Sequence, residues 1–377
     1  MKIIADNKIP FLKGVLDSCA DVEYLSPSAI TKDAVKDADA LIIRTRTKCG
    51  ESLLDGSKVK FIATATIGFD HIDTEYCKSR GIEWVNAPGC NSSSVRQYLL
   101  AALLSIAGKY NLKLSDMTIG IVGVGNVGSK IESAARLLGM KVLLNDPPRA
   151  RAEGELKFAS MDEIFSSADI VTLHVPLNKT GEDKTLHYAD EKFFGKFKKP
   201  VIFINSSRGE VTNSGALKKA ISGGRVISAV IDVWENEPGI DLELLRMADI
   251  ATPHIAGYSS DGKANGTSVC VNAVNKYFNL GLPIGWYPPD IPFPVNSNLI
   301  EIDCAGLTIQ QICSIAVLHT YNIFEDDDAL KKNPENFEKL RDYYRVRREF
   351  QAYSIKIKNS NPEINNCLTA LGFNIVS

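Results

Sequence analysis

Short apolar runs alternate with polar, turn-forming stretches from the first residues of the chain. K-I-I-A, A-L-I-I-R, K-F-I-A-T and E-W-V-N fall within residues 2–86, separated by helical stretches such as D-T-E-Y-C-K-S-R-G. Runs of this length, apolar on both faces, predict buried strands of a parallel sheet with crossover helices. A longer apolar segment, V-R-Q-Y-L-L-A-A-L-L-S-I-A at 95–107, predicts a helix leading into a second alternating series. That series runs through M-T-I-G-I-V, V-L-L-N, I-V-T-L-H-V, V-I-F-I-N and V-I-S-A-V-I-D-V and closes near residue 256. The stretch K-A-N-G-T-S-V-C-V-N-A-V-N-K-Y-F-N-L-G then predicts a helix returning the chain to its first part. Next, G-L-P-I-G-W-Y-P-P-D-I-P-F-P carries five prolines in fourteen residues and reads as a linker. The remaining tail of roughly ninety residues is large enough for a small domain of its own.

One turn in the second series carries chemistry. In I-V-G-V-G-N-V-G, Gly123 permits a tight strand-to-helix turn, Gly125 lets backbone approach a pyrophosphate, and Gly128 lets helix pack on strand. Asn126 and Val127 open the helix whose N-terminus faces the anion. Asp146 closes the next apolar run, K-V-L-L-N-D, where a carboxylate accepts both ribose hydroxyls of NAD and repels the 2'-phosphate of NADP. NAD is the expected cofactor. Arg149, just beyond, could bind a phosphate and weakens the exclusion of NADP.

Composition narrows the alternatives. With 377 residues, 45% of them hydrophobic, the chain is expected to form two or three domains. A net charge of -2 gives no phosphate-directed field, so neither nucleic acid nor a membrane surface is expected as a partner. Met1 leads directly into a strand pattern without a signal-peptide core, and no apolar stretch is long enough to span a bilayer, which together predict a cytoplasmic protein. Eight scattered cysteines without a C-x-x-C pair predict reduced thiols and no metal site.

Oxidation of a 2-hydroxy acid needs a base, a cation for the carboxylate and a hydride acceptor. Arg208 follows V-I-F-I-N-S-S at a strand's carboxyl end and can hold a carboxylate bidentately. His254, in T-P-H-I-A-G, lies at another strand exit as a candidate base. Glu237, in D-V-W-E-N-E-P, can orient its imidazole. On residue chemistry alone His71, His174 and His187 compete with His254 for that part.

The order of the glycine clamp, S-S-R-G-E, D-V-W-E-N-E-P and T-P-H-I-A-G resembles the D-isomer-specific 2-hydroxyacid dehydrogenase family, and N-A-P-G-C-N at 86–91 matches as well. The resemblance covers about residues 40–285. It implies an α/β fold in which a Rossmann-type NAD domain (94–256) is inserted into a discontinuous flavodoxin-like substrate domain (1–93 and 257–285). The triad implied is Arg208, Glu237 and His254. R-T-R-T-K at 44–48, A-T-A-T-I-G-F-D-H-I-D, N-D-P-P-R and the segment after His254 resemble a branch acting on a phosphorylated four-carbon acid. So does the tail motif L-R-D-Y-Y-R-V-R-R-E-F, which implies a small C-terminal α+β dimerisation domain (286–377) and a homodimer. Carried over with it are Thr45, Thr66 and Tyr258 as substrate contacts and Asp146, Val175, Asp232 and Gly257 as cofactor contacts. Arg44, Arg46 and Lys48 form a basic loop that could complement the phosphate. Two alternatives stand beside this reading: a dehydrogenase of the 3-phosphoglycerate or glyoxylate type, and a non-enzymatic NAD-sensing protein.

Overall fold

Strands in this chain are short, most of the central ones are apolar on both faces, and each pairs with a neighbour running in the same direction. The computed structural model describes residues 1–376, which divide into two units: 1–91 with 259–292, and 92–258 with 293–376. The alternating pattern predicts an α/β arrangement for each, and both have it.

The first unit is built on β1 (Lys2–Asp6), β2 (Asp21–Leu25), β3 (Ala40–Ile43), β4 (Phe61–Thr64) and β5 (Glu83–Val85). They form one parallel sheet in the order β2-β1-β3-β4-β5, the flavodoxin-like arrangement. β3 and β4 are buried along their whole length, which is why their sequences are unbroken apolar runs. β2 escapes the pattern reading because D-V-E-Y-L is an edge strand with no fully buried residue. Helix Ser260–Phe278 returns the chain to this unit and buries Cys270, Val271 and Val274 in a core with Ile3, Ala5, Ile42 and Phe61. The proline-rich segment after it contains no helix or strand but is pinned down. The Trp286 amide donates to Asn272 Oδ1 at 2.8 Å and the Leu282 amide to Asn275 Oδ1 at 3.1 Å.

The second unit carries β6 (Thr118–Val122), β7 (Lys141–Asn145), β8 (Ile170–Leu173), β9 (Val201–Asn205), β10 (Val226–Ile231) and β11 (Ile250–Ala251). All pair in parallel in the order β11-β10-β9-β8-β6-β7. Strand order reverses at β6, whose neighbours are β7 and β8, and the carboxyl end of such a switch strand is where open α/β sheets bind ligands. Three further parallel strands, β12 (Leu299–Asp303), β13 (Ser354–Lys358) and β14 (Asn374–Val376), form a separate sheet.

Helix Ser92–Lys109 joins these two sheets. Fourteen of its eighteen residues are buried, so it has no solvent face. On one side it packs with Ile119, Ile121, Ile131 and Ala134 of the nucleotide-binding region, and on the other with Ile312, Val317, Tyr321 and Phe350 of the tail, in one continuous core. Polar ties reinforce it: the Gln97 amide donates to Thr320 Oγ1 at 3.0 Å, and Arg96 Nη2 to the Leu371 carbonyl at 2.7 Å. Among the described residues, no helix is long and apolar enough to cross a membrane.

Candidate active site

Every cofactor and catalytic residue singled out in 118–258 follows the carboxyl end of a strand of the six-stranded sheet. Gly123 follows β6, Asp146 follows β7, Val175 follows β8, Arg208 follows β9, Asp232 and Glu237 follow β10, and His254, Gly257 and Tyr258 follow β11.

The glycine turn has the shape a dinucleotide needs. Gly123 has φ +89°, and a Cβ there would stand 2.5 Å from the His174 carbonyl oxygen and 2.9 Å from Val175 Cγ1. Val175 thus acts through packing against this turn. A Cβ on Gly128 would lie 2.1 Å from the Gly123 carbonyl, so only glycine lets helix Asn126–Leu137 start here. Gly125 is the N-cap of that helix, with open space where a side chain would stand. The first amides, at Asn126 and Val127, are therefore available to a pyrophosphate. Asp146 Oδ2 accepts from the Val124 amide at 2.8 Å and Oδ1 from the Arg149 amide at 3.1 Å. Each carboxylate oxygen keeps a lone pair, enough for two ribose hydroxyls. The Arg149 guanidinium pairs with Glu153, its Nη2 to Oε2 at 2.8 Å, which gives it a local structural partner. These residues fit a bound NAD: helix amides at the pyrophosphate, Asp146 at the ribose, and a cleared backbone between them.

His254 stands at φ +56°, an uncommon conformation for a side-chain-bearing residue, fixed by its amide donating to the Asp232 carbonyl at 2.7 Å. Its Nδ1 faces Glu237 Oε2 at 2.8 Å, while Glu237 Oε1 accepts from the Trp234 amide at 2.9 Å. With Nδ1–H held by a carboxylate, the ring's other nitrogen is the one that can take a proton. Burial alone would raise the Glu237 carboxyl, but the hydrogen bond and charge of His254, the Trp234 amide and the Arg341 cation outweigh it and hold it below the usual carboxylate range.

Asp232 is almost fully buried, and its side chain turns into the loop that bears His254. Oδ1 accepts from Thr252 Oγ1 at 2.6 Å and from the Ile255 amide at 2.8 Å, and Oδ2 from the Ala256 amide at 3.0 Å. Tyr98, from helix Ser92–Lys109, completes the chain by pairing with Thr252 Oγ1 at 2.8 Å. Burial pushes the Asp232 carboxyl up and prevails, although the nearby His254 and the three donors pull it down. This network sets the path of residues 252–256.

Arg208 is placed by Asn205, whose Nδ2 donates to the Arg208 carbonyl at 3.0 Å and whose Oδ1 accepts from the Ser207 amide at 3.0 Å. Arg208 Nη1 donates to the Ser207 carbonyl at 2.8 Å. Gly209 was missed in the sequence as a site residue. A Cβ there would stand 2.0 Å from the Trp234 carbonyl carbon, so glycine alone allows the Arg208 turn and the loop bearing Glu237 to touch. A glycine directly after the candidate arginine was the available signal.

The other histidines differ in setting. His71 Nε2 lies 3.0 Å from Thr64 Oγ1, and burial lowers its pKa. His174 Nε2 is turned inward onto Thr172 Oγ1 at 2.9 Å, and burial lowers it to about 3. His187 also faces a carboxylate, Glu235 Oε1 at 2.7 Å, but it lies in the connection between β8 and helix Glu191–Gly195. His254 alone combines a strand exit with a carboxylate on Nδ1.

In the first unit, the basic loop follows β3. The Arg44 guanidinium is engaged by buried Asp6, Nε to Oδ2 at 2.9 Å, a structural pairing. Thr45, Arg46 and Lys48 are exposed. Thr66 donates to the Gly68 carbonyl at 2.9 Å and pairs with Thr64 Oγ1 at 2.7 Å.

Comparison with known proteins agrees with this architecture. Residues 104–256 match the family model described as D-isomer specific 2-hydroxyacid dehydrogenase, NAD binding domain, and residues 295–372 match a domain of unknown function. A protein of Bacteroides thetaiotaomicron named erythronate-4-phosphate dehydrogenase is 51% identical over 94% of this chain and 99% of its own length. One of the same name from Escherichia fergusonii is 40% identical over 100% of this chain and 99% of its own length. Among solved structures, D-lactate dehydrogenase of Aquifex aeolicus, complexed with NAD and lactic acid, is similar with a TM-score of 0.62 and 26% identity, covering 74% of this chain and 96% of that one. The TT0316 protein of Thermus thermophilus is similar with a TM-score of 0.64 and 25% identity, over 77% of this chain and 99% of that one. The chain is an NAD-dependent dehydrogenase and belongs to the D-isomer specific 2-hydroxyacid dehydrogenase family, in the group whose curated members are named erythronate-4-phosphate dehydrogenase.

Proposed function

We propose that this chain oxidises 4-phospho-D-erythronate to 2-oxo-3-hydroxy-4-phosphobutanoate, a step of pyridoxal 5'-phosphate biosynthesis, with Arg208, Glu237 and His254 as its catalytic residues. The observation that carries the reading is the His254–Glu237 pair at 2.8 Å, at the carboxyl end of the same parallel sheet that carries the NAD-shaped turn. NAD supplies the hydride acceptor. Arg208 holds the substrate carboxylate and polarises the developing carbonyl. The C2 hydroxyl gives its proton to the free ring nitrogen of His254, and Glu237 stabilises the resulting imidazolium through Nδ1–H. Tyr258, two residues beyond the turn at Ala256, is the proposed substrate contact on this side, and Asp232 and Gly257 shape the nicotinamide end of the loop.

Substrate contacts at Thr45 and Thr66, and at Arg46 and Lys48 for a phosphate, belong to the same proposal. Arg44 is given a supporting part in it, because its guanidinium is engaged by Asp6. A cytoplasmic homodimer formed through the tail completes the reading. It is supported by exposed apolar side chains on the tail, Leu299, Ile315 and Phe324 among them.

The test is reduced-nicotinamide absorbance with purified protein, NAD and 4-phospho-D-erythronate, with 3-phosphoglycerate in parallel and a carbonyl trap. Preference for the four-carbon acid is expected. Preference for 3-phosphoglycerate would overturn the substrate and keep the triad, and NAD binding without turnover of either would favour a sensor.

A further inference from the structure

Helix Phe337–Asp342 of the tail brings Arg341 to the catalytic loop within the second unit. Its Nη2 donates to the Tyr258 hydroxyl at 3.1 Å, and its Nη1 stands 4.0 Å from Glu237 Oε2. The guanidinium carbon lies 5.7 Å from the centre of the Tyr258 ring and 5.8 Å from that of Phe337. Buried Arg341 Nε has no hydrogen-bond partner. Glu237 Oε2, the oxygen that receives His254 Nδ1, therefore has a second cation beside it.

We infer that Arg341 is a positioning residue of the active site: it shares the Glu237 carboxylate with His254, and so weakens that carboxylate's hold on the imidazole Nδ1–H. The inference rests on the reading of His254 and Glu237 as the proton-transfer pair. A carboxylate at hydrogen-bond distance stabilises imidazolium. A fixed guanidinium across the same oxygen opposes that. Other charged groups around the pair are Asp232, which favours imidazolium, and Arg347, whose Nη2 donates to the Ala256 carbonyl at 2.6 Å. Arg347 is engaged by loop carbonyls and by Ser94 Oγ at 2.8 Å, whereas Arg341 touches Tyr258 and faces Glu237. The same contact gives a function to part of a tail segment whose family model is described only as a domain of unknown function.

The experiment uses the full chain with 13C-labelled histidine and follows the five histidine ring signals against pH. His254→Gln identifies the relevant signal by its loss. In Arg341→Met the midpoint of that signal is expected to rise by about half to one pH unit, and in Arg341→Lys to return most of the way. Arg341→Gln serves as the neutral variant if methionine prevents folding. A midpoint unmoved by loss of the cation overturns the inference, and so does a fall in thermal stability without that movement, since a merely structural arginine would give it. The acid limb of kcat/KM for 4-phospho-D-erythronate should shift in the same direction. Full activity of His254→Ala would sink the reading of the proton-transfer pair, while the ring titration still decides whether Arg341 tunes the histidine.

Discussion

At the scale of single residues, the site is a set of groups whose neighbours leave them one thing to do. His254→Ala should abolish turnover and leave NAD affinity within a few fold, because the imidazole touches none of the glycine turn; nicotinamide fluorescence and steady-state rates would check both halves. Asp232→Asn puts an amide against three donors, from Thr252, Ile255 and Ala256. It should cost about 1–3 kcal/mol of stability and lower kcat, read from denaturant unfolding and initial rates. Gly209→Ala is expected to do comparable damage without removing a functional group, since its methyl would collide with Trp234. Wild-type rates from that variant would show that the two loops need not touch. The glycine turn and the strand-exit motifs that hold Arg208, Glu237 and His254 were legible in the sequence, although only the family resemblance set His254 apart from His71, His174 and His187. Gly209 and Arg341 were not. The first has no side chain to read, and the second lies 104 residues along the chain from Glu237, a distance that only folding closes.

Elements show the same division between local and long-range information. The buried parallel strands announce themselves as unbroken apolar runs, whereas edge strand β2 and the tail strands, half exposed and rich in charge, do not. Helix Ser92–Lys109 was legible as a helix, but the reason for its apolar circumference was hidden until its second face met the tail. Removing residues 293–377 should therefore strip Ile312, Val317, Tyr321 and Phe350 from that face, at roughly 1.5–3 kcal/mol for each large side chain. The truncated chain is expected to be largely insoluble. A soluble product that melts at the full-length temperature would mean the shared core contributes little.

Across the whole molecule, each unit contains a histidine kept neutral by burial, His71 in one and His174 in the other. Both have folded-state pKa values below the ordinary histidine value of 6.5. As pH falls below that value the unfolded chain takes up protons that the folded chain refuses, so stability is lost progressively on acidification, for His174 down to about 3. Melting temperature should drop between about pH 6.5 and 4.5, and His174→Gln should flatten the drop while leaving the neutral value less affected. An identical acid slope in that variant would assign the loss to other groups. Glu237, with its lowered pKa, adds stability that is present above the ordinary carboxylate range and is lost as pH falls through its folded value.

The helix with no solvent face also bears on how such a protein can be rebuilt. A tail that merely hung from a linker could be exchanged as a cassette between dehydrogenases. Here the graft boundary runs through the middle of a hydrophobic interior, and the donor's tail must match the recipient's helix residue by residue. Chimaeras that import residues 293–377 together with 92–258, the whole of the shared core, should fold, where those that import the tail alone should not.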